Sequence, residues 1–265
     1  MEDISLKKSW SALILAGERA RRPSVLDTAG VCCKALLPVS GQPVLGKVID
    51  ALYGSEWVED VATVGLPEQA VSCFPEITRL PGGNSPSTSA CMALDIWHDR
   101  LPLLLTTADH ALLRSEMVDF FCHQAACSQA DLLVGMARMP LDDPRFQGIR
   151  RTRRRFRSLY YAGCNLYAFN TPKARRVPEY WQQMERHRKK ALGLIMRLGW
   201  KPLLAYMLNR LSLDEAFHCL SRRLGVKIEA VLLPWPEAAI DVDSLEDWRF
   251  VNDFLQAQKL PDTAA

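Results

Sequence analysis

No apolar run in this 265-residue chain approaches the roughly 20 residues that a membrane-spanning helix needs. Its start lacks a basic stretch followed by a long apolar run and a small-residue cleavage site, so a cytoplasmic setting is expected and secretion is not. The eight cysteines include no C-x-x-C pair and only Cys32 and Cys33 are adjacent, which argues against a zinc ribbon and for reduced thiols. Histidines 98, 110, 123, 187 and 218 form no metal-ligand spacing, and no Ser-His-Asp or Cys-His arrangement stands out. Internal repeats and low-complexity tracts are missing as well. Charge of one sign is not in excess. The net charge is only +3, and the arginine run at 150–157 carries a single aromatic, Phe156, too little for a base-stacking platform. Nucleic acid is therefore not expected as a partner. What remains is 48% hydrophobic and 24% charged, the profile of a soluble globular protein large enough to bury a real core, and one domain over 1–265 is the economical division.

Strand and helix signals alternate along the first half. "WSALILAG", "VEDVATVGL", "LPLLLTTADH" and "ADLLVGMAR" are short apolar runs suited to strands buried on both faces. Between them, "QPVLGKVIDALY", "SPSTSACMALDIWHD" and "SEMVDFFCHQAA" carry helical apolar spacing, the last two opened by serines that suit a cap. This rhythm predicts an α/β fold, a mostly parallel sheet with helices on both faces, whose ligands bind at the carboxyl ends of the strands. The Leu-Ala-Gly loop after the first strand and the Thr-Thr-Ala-Asp-His cluster both lie at such ends. After Pro140 the rhythm changes. "GIRRTRRRFRS" and "YYAGCNLYAF" are expected to pair as strands, and a Leu-rich helical insertion follows at about 172–224. "VKIEAVLLP" then returns to strand, and a last helix is capped by Ser244.

Asp109 ends a buried run, where a lone carboxylate is penalised unless it is paired, and both a hard cation and a simple helix cap remain open as its partner. Asp241 and Asp243 in "IDVDSLED" are expected to point to opposite faces, so that a cleft receives only one of them. Lys34 in "CCKALLPVSGQP" is either a snorkelling surface residue or a point charge for a triphosphate. "LPGGNSPSTSA" (80–90) suits anion or nucleobase binding at a helix start, or plain capping. "AGCNLYAF" offers room for close substrate approach, or a strand bulge.

Taken in order, "LILAG", "KALLPVSGQPVLGKVIDAL", "LLLTTADHALL", "GCNLYAF" and "IDVDSLEDW" resemble the MobA-like NTP transferases, of GT-A-like fold, over nearly the whole chain. The resemblance implies a nucleotidyltransferase that moves a nucleoside monophosphate from a nucleoside triphosphate to a phosphorylated small-molecule acceptor and releases pyrophosphate. It implies that amides of Ala16, Gly17, Glu18 and Arg19, with the Lys34 side chain, bind the triphosphate, and that Ser85, Ser87 and Thr88 contact base or ribose. Asp109 would hold Mg²⁺, with Asp243, or less favourably Asp241, as second carboxylate. Gly163 and Asn165 would face the acceptor, with Lys189 and Lys190 as cations for its phosphate. Lys34, Asp109 and Asp243 are thus the expected catalytic set. One departure is plain. The family loop Leu-Ala-Gly-Gly-x-Gly-x-Arg-Met is followed closely by its lysine. Here Glu18 follows Gly17, and Lys34 comes seventeen positions after that glycine. A glycosyltransferase of the same fold and a non-catalytic nucleotide sensor or scaffold stay open as alternatives. For the Leu-rich stretch 189–213, so do a peripheral membrane contact and a homodimer interface.

Overall fold

Strand β1 (Trp10–Leu15) sets the layering. Its alternate residues Trp10, Ala12 and Ile14 pack with Leu45, Val48 and Phe121 on one side, while Leu13 joins Ala62, Leu94 and Leu105 on the other. A strand with apolar side chains on both faces must be covered on both, and that demand shapes the molecule. The computed structural model describes residues 9–18, 24–140, 143–146, 154–156, 159–186 and 210–259.

The other strands are β2 (Pro38–Val39), β3 (Gln42–Pro43), β4 (Val58–Val64), β5 (Thr78–Leu80), β6 (Leu103–Thr107), β7 (Leu132–Arg138), β8 (Arg154–Phe156), β9 (Leu159–Phe169) and β10 (Ile228–Leu233). The main sheet runs β10-β7-β9-β6-β1-β4-β5, with β8 on β9, and β2 and β3 form a separate hairpin. Neighbours are parallel except around β9, which runs antiparallel between β6 and β7. The expected pairing of the arginine-rich segment with "YYAGCNLYAF" is found as β8 on β9.

Helices α1 (Ser24–Ala29), α2 (Val44–Tyr53), α3 (Glu68–Val71), α4 (Pro86–Ile96), α5 (Ser115–Ala126), α6 (Arg176–Arg186), α7 (Leu213–Leu224) and α8 (Leu245–Lys259) complete the described elements. α2 and α5 cover one face of the sheet; α4, α6 and α7 contribute to the other. Ser85 caps α4, its Oγ accepting from the Thr88 amide, as the sequence suggests. Ser115 does not cap α5, because Arg114 holds the extended capping position and Ser115 is already helical. α7 carries a capping box between Ser212 and Glu215 and ends on Gly225 at φ 63°, the left-handed geometry that glycine adopts without strain. The expected helical insertion is met at both ends by α6 and α7, while most of the stretch weighed for membrane or dimer contact lies outside the described residues. Among the described residues no helix is long and apolar enough to cross a membrane.

A third apolar cluster positions the site. Val25 and Leu26 of α1, Leu37 and Val39 near the small hairpin, Ala111 and Leu112 after β6, and Ile240, Val242 and Val251 form one buried patch beyond the sheet edge. Trp248 Nε1 donates to the Pro38 carbonyl at 2.7 Å, which ties α8 to the hairpin. Segments more than 200 residues apart are thereby clamped side by side. Neither α1 nor the hairpin is legible in the sequence, since both are short and owe their shape to this patch.

Candidate functional site

β1 and β6 are parallel neighbours, and Ala108 continues their ladder by donating to the Leu15 carbonyl at 3.0 Å. This fixes Asp109 at the carboxyl edge of the sheet. The Asp109 carbonyl in turn accepts from the Val242 amide at 3.0 Å, drawing the extended segment 240–243 alongside. The Asp247 carboxylate accepts from the Asp243 and Ser244 amides and from the Ser244 hydroxyl, and the Asp247 amide donates to Ser244 Oγ, so the start of α8 is locked. Lys34 enters from the opposite wall on a 3₁₀ turn, Lys34–Leu36.

Its ammonium donates to Asp109 Oδ2 and to Asp243 Oδ1, at 2.7 Å each. The side chains of Lys34 and Asp109 are only 16% and 17% exposed, and that of Asp243 is 44% exposed. Burial alone would lower the Lys34 pKa, but the charges of Asp109 and then Asp243 outweigh it and hold the ammonium above its ordinary value. Burial likewise acts to raise the Asp109 carboxyl, yet Lys34 overcomes it and the group lies below the usual carboxylate range. The three expected catalytic residues are therefore brought together.

Asp109 Oδ1 is buried and makes no hydrogen bond of acceptable geometry among the described residues. The nearby Thr107 hydroxyl, itself unbonded by the same measure, only adds to the bias toward ionisation. An orphaned carboxylate oxygen beside a second carboxylate fits a hard cation. Mg²⁺ asks for one or two carboxylates and takes water and phosphate oxygens for the rest. No group of three or more His, Cys, Asp or Glu suited to a metal exists among the described residues, so an all-protein cage of that kind is not what the donors form.

The expectation that Asp241 and Asp243 point apart is corrected. Residues two apart in an extended segment share a face. Ile240 and Val242 are the buried pair here, leaving both aspartates on the polar side. They make different contacts. Asp243 meets Lys34, whereas Asp241 accepts from Asn165 Nδ2 at 2.9 Å. Asn165 reaches it because β9 bulges opposite Gly135 and sets Asn165 at φ 51°. A Cβ on Gly135 would lie 3.0 Å from Leu166 Cβ and 3.4 Å from Cys164 Cβ, so the glycine makes room for both flanks of the bulge. Asp241 also contributes, after burial and Cys164, to raising the Tyr167 phenol to about 12. Gly163 lies two residues before the bulged Asn165, with open space where a Cβ would stand.

Beside the triad is a cleft of about 430 Å³ at the ends of β1, β4 and β5. Gly17, Gly65 and Gly82 line it, and a Cβ on Gly82 would fall 2.6 Å from Gly65 Cα. Gly65 also has φ 71°. Glu68 and Arg79 line it too. Gly17 is among the expected nucleotide contacts and Gly82 lies in the 80–90 turn singled out in the sequence, whereas Gly65, Glu68 and Arg79 were missed, the glycine after "TV" being the available signal. Glu18 joins cleft to triad. It lines the cleft, and its Oε1 accepts from the Lys34 main-chain amide at 2.6 Å.

Two expectations about nucleotide contacts change. The Ala16 amide donates to the Val64 carbonyl at 2.9 Å, so it belongs to the sheet and is not offered to a phosphate. In the serine turn, Ser87 Oγ donates to Glu185 Oε2 at 2.5 Å and Thr88 Oγ1 accepts from Gln182 at 3.0 Å, both from α6. Ser85 serves its own helix. Arg19, Lys189 and Lys190 lie outside the described residues.

A family model described as the MobA-like NTP transferase domain matches residues 12–163, more than half of the chain. A solved structure titled a hypothetical transferase, from Thermus thermophilus, is 29% identical at a TM-score of 0.75, covering 90% of this chain and 98% of that one. The 4-diphosphocytidyl-2C-methyl-D-erythritol synthase of Anaerococcus prevotii is 14% identical at TM-score 0.54, with 94% and 99% covered. A CMP:2-keto-3-deoxy-manno-octonic acid synthetase, solved with CTP, is 15% identical at TM-score 0.53, with 96% and 100% covered. The last two share the fold, which is GT-A-like. No curated protein matches the chain.

Proposed function

Because the chain belongs to the MobA-like NTP transferase family, we propose that it transfers a nucleoside monophosphate from a nucleoside triphosphate to a phosphorylated small-molecule acceptor, releasing pyrophosphate. One observation carries this reading above all. The Lys34 ammonium stands 2.7 Å from both Asp109 and Asp243 at the carboxyl edge of the sheet, next to a glycine-lined cleft. Ligands of open α/β sheets bind at that edge.

In this proposal the base enters the cleft over Gly17, Gly65 and Gly82, whose missing side chains leave room for a planar ring. The triphosphate then runs past the Gly17 and Glu18 amides toward Lys34. An acceptor phosphate oxygen attacks the α-phosphorus, the bond to the pyrophosphate oxygen breaks, and pyrophosphate carries that electron pair away. No covalent intermediate with the protein is needed, so the protein contributes position and charge. Lys34 offsets charge on the departing pyrophosphate. Asp109 and Asp243 would hold Mg²⁺, which when bound neutralises phosphate charge and orients the reacting oxygens. Asn165 and Asp241, joined to each other, supply donor and acceptor groups for the acceptor beside open Gly163. Lys189 and Lys190 remain proposed as phosphate cations. The whole chain is taken as one such domain, and a cytoplasmic setting is part of the proposal, consistent with eight free thiols.

The test is a panel of nucleoside triphosphates with Mg²⁺ against sugar, polyol and cofactor phosphates, with pyrophosphate as readout. One pair is expected to yield pyrophosphate, and Asp109→Ala to abolish it in a folded protein. Release of a nucleoside diphosphate from a nucleotide-sugar would favour the glycosyltransferase alternative. Nucleotide binding with no turnover across the panel would favour the sensor.

A further inference from the structure

The two carboxylates suited to a divalent ion are already bridged by a cation of the chain itself. Lys34 Nζ lies 2.7 Å from Asp109 Oδ2 and 2.7 Å from Asp243 Oδ1, which is where an ion shared by the two would draw its ligands. An ion entering with the lysine in place would stand next to a like charge inside a largely buried pocket, where repulsion is only weakly screened. Asp109 Oδ1, which is buried, makes no hydrogen bond among the described residues. The lysine is hung so that its side chain can leave while its backbone stays. Glu18 grips its amide at 2.6 Å, the Leu37 amide donates to its carbonyl at 3.0 Å, and the ammonium rides on a flexible four-carbon stem.

We infer that Lys34 is a placeholder cation, which keeps the Asp109–Asp243 pair closed to a free divalent ion and yields it when a nucleoside triphosphate offers the ammonium other anionic oxygens. The identity of that trigger rests on the proposed function above; the competition between lysine and ion does not. The device would order the events, nucleotide before or with metal. It also gives a long loop a reason to hold its lysine across the site while no nucleotide is bound.

The experiment uses the full chain and Mn²⁺ alone, read by the loss of its free paramagnetic resonance signal. Lys34→Met is expected to bind Mn²⁺ at least about tenfold more tightly than the native protein, since one like charge has gone. Lys34→Arg, which keeps the charge, is expected to stay as weak as the native chain. Adding Asp109→Asn to Lys34→Met is expected to erase the gain. Equal Mn²⁺ affinity in the native and methionine forms would overturn the inference, as would a gain in the arginine form or one that survives Asp109→Asn. Should Lys34→Met fail to fold without metal, Mn²⁺ must restore its native circular dichroism, and failure to do so also overturns it. Nucleotide uptake is measured in parallel. If the native chain takes up no nucleoside triphosphate with Mn²⁺ while the methionine form gains metal, the placeholder stands and the transferase reading falls. If uptake is normal and the methionine form gains no metal, the placeholder falls and the transferase reading stands.

Discussion

Replacing Lys34 by methionine keeps the length of the side chain and removes the one charge that Asp109 and Asp243 share. The two contacts are not equal. Asp109 and Lys34 are 17% and 16% exposed, so deleting the lysine strands a buried carboxylate, a change that costs about 3–5 kcal/mol. Asp243 is 44% exposed and solvent screens it, so its loss adds at most about 1 kcal/mol. That loss is a large share of a total stability of roughly 5–15 kcal/mol. At about 2–4 °C per kcal/mol for a chain of this size class, the midpoint falls by roughly 6–24 °C. The pH dependence carries the sharper test. In the native chain the Asp109 carboxyl lies below its ordinary value, so its contribution is present above the unfolded pKa and is lost as pH falls through the folded one. Without Lys34 only the smaller influences of Thr107 and His110 oppose burial, so the pKa rises, and the penalty is greatest near neutrality and is relieved as the carboxyl protonates. Down to about pH 4.5 only this second effect narrows the gap, because the native contribution fades at lower pH, below the unfolded carboxylate value. Urea unfolding of the two proteins in EDTA, at about pH 7.5 and about pH 4.5, reads the difference directly. A gap under about 1 kcal/mol at the higher pH, or one unchanged at the lower, would refute the argument that a buried shared charge holds these segments together.

Gly82→Ala sets a methyl group 2.6 Å from Gly65 Cα and is expected to destabilise by about 1–3 kcal/mol and to weaken nucleotide binding in calorimetry; unchanged values for both would mean that the glycine contact does not shape the cleft. Asn165→Ala keeps the left-handed backbone demand and loses the bond to Asp241, whereas Asn165→Gly loses only the bond. The alanine form should therefore unfold at lower denaturant, by about 1 kcal/mol, and equal midpoints would count against strain at φ 51°. Burial acts to raise the Asp131 carboxyl, but bonds from Thr171 Oγ1 and the Lys227 amide prevail and hold it low. The stability lost in Asp131→Asn should accordingly be full near neutrality and fade as pH drops below about 4. A difference that grows on acidification would reverse the assignment.

The sequence by itself determined much of the layering. Runs such as Leu103, Leu104 and Leu105 are apolar at successive positions, which a doubly covered strand satisfies, and the helices between them carry their stripes locally, α4 with its Ser85 cap. It offered Lys34, Asp109 and Asp243 as candidates through their family resemblance, while a surface lysine and a helix-capping aspartate stayed open as plain readings. Tertiary structure alone decided how they meet. That Asp109 and Asp243 share the Lys34 ammonium depends on a small apolar patch built from α1, a two-residue-strand hairpin and the segment before α8, and neither α1 nor the hairpin has a local signal strong enough to read. The same holds for Asn165, whose side chain reaches Asp241 only because β9 bulges opposite Gly135. Glu18 is a departure from the family's glycine loop in the sequence, and only the fold shows its carboxylate on the Lys34 amide. Periodicity encodes which face of an element is buried, but contacts across 75 or 209 residues are set by the packing of whole elements, and no local pattern records them.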